Sequence, residues 1–176
     1  MTRTVVLRVA ALAILLLLVL FSVLILRTTS NLPDALVYFV NSQPTYFELQ
    51  PALRQIPASD DEELVELLFE ELRSGPNEAE QDAGLATLIP AGTQLLNASV
   101  DDGIVTVDLS EEFEQGGGSS QMQGRLFQLF YTLTQPNGID GVSLLIQGQP
   151  VRSFSGEGIL VEQPWLREEQ PVDPIW

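Results

Sequence analysis

Hydrophobic and polar residues follow two periods along this chain, and one long stretch follows neither. Residues 9–26 carry no charge and are mostly Leu, Val, Ile and Ala. At roughly 1.5 Å per residue they make about 27 Å of helix, close to the hydrocarbon thickness of a bilayer. A transmembrane helix is expected there, after a cytoplasmic N-terminus (1–8) and before a linker (27–34). A cleaved signal peptide fits less well, because Leu24-Ile25-Leu26-Arg27 stands where a small-x-small site belongs.

Residues 35–40 form an apolar run that reads as a buried strand. Pro44, Pro51 and Pro57 mark residues 41–58 as a crossover, with a short extended piece at 46–49. Ser59 and Glu62 have capping-box spacing. After them Leu64, Val65, Leu68, Phe69 and Leu72 line one helical face, opposite Glu63, Glu66, Glu70 and Arg73. Gly75 and Pro76 stop that helix. Asn77 and Glu80 box the start of the next, Gly84 suits its end, and Pro90-Ala91-Gly92 turns the chain again. Gly75, Pro76, Asn77, Glu80, Gly84, Pro90 and Gly92 thus form a structural corner.

Two β-rich runs, 94–100 and 104–109, flank Asp101-Asp102-Gly103, a strong hairpin signal. Val105, Val107 and Leu109 share one face of the second run. Residues 122–135 read as an amphipathic helix with Met122, Leu126, Leu129, Phe130 and Leu133 inward. Val142, Leu144 and Ile146 alternate on a last core strand, and Gly148-Gln149-Pro150 starts a short return. Residues 164–176, with three prolines and acidic side chains, read as a weakly ordered tail. The fold class expected is α+β: a single domain of βαββαβ order over 35–163, a mixed sheet with helices on one face, preceded by the transmembrane helix.

All 24 acidic residues lie beyond Arg27, against five arginines there, so that part carries a net −19. Nucleic acid is an unsuitable partner for such a charge. Arg3 and Arg8 precede the apolar run, which by the positive-inside rule places the domain outside the cytoplasm. Cys, His and Lys are all absent. Their absence removes Ser-His-Asp and Cys nucleophiles, Schiff-base chemistry, Lys-bearing phosphate loops, His or thiolate zinc sites, and a lipidated cysteine.

The remaining candidate chemistry is acidic. Asp101, Asp102, Asp108, Glu111, Glu112 and Glu114 cluster in sequence, but their order fits no calcium loop, and turn and strand-end roles are simpler. Asp108 with Ser110 suggests acid-assisted hydrolysis less readily than strand capping. Gly116-Gly117-Gly118-Ser119-Ser120 resembles a phosphate cradle, yet without a lysine an N-cap at Ser119 or Ser120 is preferred. No catalytic, cofactor or metal residue is assigned.

The segment from Gly75-Pro76-Asn77-Glu78 through Leu88-Ile89-Pro90-Ala91-Gly92-Thr93 resembles the opening signature of GerMN domains. Similar positions continue in Tyr38-Phe39, Leu53-Arg54, Leu67-Leu68, Val107-Asp108-Leu109-Ser110, Tyr131-Thr132-Leu133-Thr134-Gln135 and Gly148-Gln149-Pro150-Val151, over roughly residues 35–165. The resemblance implies an extracytoplasmic, non-catalytic module of envelope, sporulation or germination complexes. The expected function is a membrane-tethered interaction or scaffold domain that binds an envelope protein or itself. The alternative is a carboxylate-dependent hydrolase acting on cell-wall glycan.

A contact surface is expected on the 122–135 helix. Residues 115–139 contain no acid, and Gln121, Arg125, Gln128, Thr132 and Gln135 form the stripe opposite its apolar face. Gly124, Phe127 and Tyr131 line the flank. Gly124, Arg125, Phe127, Gln128, Tyr131 and Thr132 are therefore the candidate partner contacts, since interface cores are poor in charge and rich in aromatics and Arg. On this reading Glu at positions 128 and 132 leaves folding intact.

Overall fold

The computed structural model describes residues 13–19, 21–22, 34–42, 46–154, 159–161 and 163–170. Two compact units divide the chain, 1–33 and 34–176. In the first, the described residues 13–19 and 21–22 are helical, with exposed side chains. Among the described residues no helix is long and apolar enough to cross a membrane, which overturns the transmembrane part of the expected fold class. A span needs about 20 apolar helical residues, and the described helix falls well short of that. The 1–8 segment and most of the 27–34 linker lie outside the described residues.

The second unit is α+β, but its element order and layering differ from expectation. Strand β1 (Asp34–Ser42) pairs antiparallel along its whole length with β2 (Phe47–Gln55). The supposed crossover is thus largely a strand. The prolines misled here, because β2 is an edge strand, where a missing N–H is tolerated. Helices α1 (Asp61–Ser74) and α2 (Glu78–Asp82) follow, then β3 (Leu85–Ala86), which completes the sheet in the order β2-β1-β3.

Strands β4 (Leu95–Asp101) and β5 (Ile104–Leu109) form the expected hairpin. Asp102 and Gly103 both adopt positive φ, 46° and 79°, as a two-residue primed turn requires. A 3-10 turn (Glu111–Glu114) leads to α3 (Ser119–Leu133), and β6 (Gly141–Ile146) returns parallel to β5. Two-residue strands β7 (Gln149–Pro150), β8 (Ser153–Phe154), β9 (Ile159–Leu160) and β10 (Trp165–Leu166) complete the unit. The second sheet runs β10-β6-β5-β4, with β7 also on β6, and β8 pairs only with β9.

Among the described residues the strands thus form two larger sheets and the small β8–β9 pair, and α1 and α3 each contact both larger sheets: α1 meets β1 and β4, α3 meets β1 and β6. The core comes from the residues whose periodicity announced it. Val65, Leu68, Phe69 and Leu72 of α1 are buried in one cluster with Val105, Val107 and Leu109 of β5 and Val142 and Leu144 of β6. Each such side chain contributes up to about 1.5–3 kcal/mol on leaving water.

Within the segment expected as a tail, Trp165 is packed against this core. Trp165 and Leu166 pair with Val142 and Gly141. The Trp165 ring lies 4.3 Å from that of Phe130 and 5.7 Å from that of Phe127. The Gln163 side chain donates to the Leu144 and Val151 carbonyls and accepts from the Leu144 N–H. Residues 171–176 lie outside the described residues.

Candidate interaction surface

Helix α3 was expected to be half solvated, and it is buried around most of its girth. Gly124, Arg125, Gln128, Tyr131 and Thr132 are buried, and Phe127 is half-buried. Packed against β1, β6 and α1, the helix has its fully exposed residues, Ser119, Ser120, Gln121 and Gln123, at its start. The stripe expected to meet a partner faces the domain's own backbone instead.

Its buried polar members are bonded to that backbone. Thr132 Oγ1 accepts from the Tyr38 N–H at 3.0 Å. Gln128 Nε2 donates to the Tyr38 carbonyl at 3.1 Å and to the Ala86 carbonyl at 3.4 Å, while its Oε1 accepts from the Leu88 N–H at 2.7 Å. These side chains occupy the edge of β1 just before β3 begins to pair, supplying the bonds a longer β3 would have made. Tyr131 packs 5.3 Å from Phe130, and Arg167 lies over its ring at 4.3 Å.

Arg125 is buried on the same helix. Its guanidinium donates to backbone carbonyls: Leu88 at 2.9 Å, Phe113, Gln115 at 3.1 Å and Gly116 at 3.2 Å. Burial pushes its pKa down, although a guanidinium stays protonated over the working pH range. The chain entering the glycine run, at Phe113, Gln115 and Gly116, thus turns carbonyls toward a cation. That is the reverse of a phosphate cradle. The helix N-cap is Gly118 rather than Ser119 or Ser120.

At the expected corner Asn77 and Glu80 form a capping box. The Asn77 carboxamide accepts from the Glu80 N–H at 3.0 Å, and Glu80 accepts from the Asn77 N–H at 2.8 Å. Gly75 and Gly84 have φ of 88° and 89°, and the Thr93 N–H closes the turn onto the Pro90 carbonyl. The first helix starts one residue later than its sequence suggested: Asp60 is the N-cap and accepts from the Glu63 N–H, while Glu63 reaches back to Ser59.

Sequence reasoning missed that Glu80 has a second partner. Arg54 of β2 grips both its oxygens at 2.7 Å and also reaches Glu71 of α1 at 2.9 Å. One guanidinium therefore ties β2, α1 and α2 together. The pairing holds Glu80 below the usual carboxylate range, with Arg54 as the main cause. Nothing in the spacing of Arg54 and Glu80, 26 residues apart, could have announced the pair.

The acidic candidates are spread over separate turns. Asp101 and Asp102 sit at the β4–β5 hairpin, Glu111, Glu112 and Glu114 on the 3-10 turn, and Asp108 accepts from the Gly148 N–H at 2.9 Å. Ser110 is buried and exchanges bonds with Gln94. Among the described residues no group of three or more Asp, Glu, His or Cys is placed to hold a metal.

One groove of about 650 Å³ opens between α1 and β4. Phe69 lies at its base, Glu66 and Glu70 stand on the helix side, and Leu96 and Ala98 on the strand side. Leu96 is 45% exposed. Thr93, 1% exposed, lines the groove, and its hydroxyl has no hydrogen-bond partner.

Comparison with known proteins points one way. The family model named Germane, described as sporulation and spore germination, matches residues 36–152. The first GerMN domain of the sporulation protein GerM from Bacillus subtilis is similar at 21% identity and a TM-score of 0.64, over 78% of this chain and 99% of that one. A candidate lipoprotein from Clostridium perfringens is similar at 26% identity and a TM-score of 0.55, over 78% of this chain and 89% of that one. The tandem GerMN domains of the same Bacillus subtilis protein match at 22% identity and a TM-score of 0.55, over 76% of this chain but 43% of that one. No curated protein shows significant similarity.

Proposed function

The chain belongs to the Germane (GerMN) family of sporulation and spore germination, and from that membership we propose that it is a non-catalytic interaction domain of a bacterial envelope complex. The observation that carries this reading is the destination of its polar side chains. Arg125, Gln128, Thr132, Glu80 and Asp108 are each spent on the domain's own backbone or on a structural ion pair. The two carboxylates at the groove, Glu66 and Glu70, stand one turn apart on the same helix and Glu70 is paired with Arg73, which suits a scaffold better than a hydrolase, whose acid and base flank the scissile bond. A place at the membrane draws support from the similarity to a candidate lipoprotein and from the exposed apolar residues 13–19.

Photo-cross-linking from surface positions of the full chain in living cells, followed by identification of the adducts, tests the proposal. A reproducible set of envelope proteins is expected. Release of soluble sugars from purified peptidoglycan by the chain, abolished by Asp108→Asn, would replace it with the hydrolase reading.

A further inference from the structure

We propose that the groove between α1 and the free edge of β4 receives an extended, Arg- or Lys-bearing segment of a partner protein, which adds to the second sheet as a further strand. This rests on the interaction-domain reading and names the chemistry of the partner.

The argument starts from the sheet edges. In the β4–β5 hairpin the two-residue turn makes Asp101 and Ile104 a hydrogen-bonded pair, and Ser99 with Thr106 the next. Ala98 and Val100, which alternate with them, therefore point their N–H and C=O groups away from β5. Among the described residues no strand takes them, because β4 ends the sheet. The corresponding edge of the first sheet is blunted: β2 carries Pro51 at an outward position, where it offers no donor. The β4 edge has no proline, and its one irregularity is a bulge at Leu95 and Asn97, clear of Ala98 and Val100.

The setting also resembles known strand-addition sites physically, with an open edge facing a helix across a groove. Main-chain bonds give such sites affinity, and pockets for alternate side chains give selectivity. Ala98 lines the groove, with Phe69 at its base and the exposed Leu96 beside it. The unpartnered Thr93 hydroxyl at the same place is a second polar group in want of a partner.

Charge selects the occupant. Glu66 and Glu70 stand over the groove, Arg73 is already paired with Glu70, and the chain beyond Arg27 carries −19. A second copy would bring the same acids face to face across β4 and is disfavoured by like-charge repulsion. A basic segment is steered in by the same field.

The test uses the isotope-labelled full chain and three synthetic peptides: acetyl-Val-Arg-Val-Arg-Val-amide, its counterpart with Glu for Arg, and the basic peptide N-methylated at alternate residues. The basic peptide should shift the Ala98 and Val100 amides and slow their hydrogen exchange. The acidic and N-methylated peptides should leave them unchanged, and Glu66→Lys, a surface change, should weaken binding about fivefold. Equal binding of the acidic or N-methylated peptide overturns the proposal, as does pairing of β4 with a second copy. If in-cell cross-linking captures specific partners while the peptides leave β4 silent, the groove assignment falls and the interaction reading stands.

Discussion

Pro51 lies opposite Tyr38 in the β1–β2 ladder, and Tyr38 turns both backbone groups the other way, its N–H to Thr132 and its carbonyl to Gln128. The two residues are thus a non-hydrogen-bonded pair, and the donor that proline lacks would have had no acceptor in β1. Pro51→Thr should leave stability within about 0.5 kcal/mol. The new amide should exchange with solvent as fast as an unbonded one, measured by hydrogen exchange. Strong protection at that position would mean that the register assigned to β2 is wrong.

Gln128 is the side chain whose two ends are both committed. Gln128→Glu puts a carboxylate against the Tyr38 and Ala86 carbonyls in a fully buried site, so it should cost about 3 kcal/mol or more. This reverses the expectation of a tolerated surface change. Denaturant melts of wild type and variant decide it, and equal midpoints would return α3 to the surface.

Arg125 holds four carbonyls with one planar group, a task for which a lysine has the wrong shape. Arg125→Lys should destabilise by about 2 kcal/mol, and Arg125→Ala by about 3 kcal/mol, because buried carbonyls lose their donors. Exchange protection should fall first in the 115–118 loop. A loss confined to partner binding, with unchanged melting, would contradict this assignment.

Glu80 provides the pH-dependent element. Its folded pKa is depressed, chiefly by Arg54, so its stabilisation is complete above the ordinary carboxylate range and is lost as pH falls through the folded value. Glu80→Gln keeps an acceptor for the Asn77 N–H but drops the ion pair, and should cost about 1–2 kcal/mol near neutrality. The gap between variant and wild type should close on acidification, seen as converging melting temperatures. A gap independent of pH would remove Glu80 from the titrating set.

Trp165 fastens the end of the described chain through its contacts with Phe127 and Phe130. Trp165→Ala should cost about 2 kcal/mol and expose β6 to exchange at Gly141 and Val142. A truly loose tail would show neither effect.

The sequence by itself determined most features that depend on neighbours along the chain, although two helix caps fell one residue or more from the positions read. Periodicity placed α1 and the inward faces of β5 and β6, because side-chain direction repeats every 3.6 or 2 residues. Asp102-Gly103 set the hairpin, and Asn77 with Glu80 set the start of α2, since turns and caps close within a few residues. Tertiary structure decided what depends on partners far away in sequence. The polar stripe of α3 reads as solvated in any local window, and only β1 arriving from some 90 residues upstream makes Gln128 and Thr132 interior groups. Pro51 reads as a strand breaker until β2 proves to be an edge. The Arg54–Glu80 pair and the docking of Trp165 likewise have no local signature, because the free energy of each resides in contacts that exist only after the sheets and helices have closed on one another.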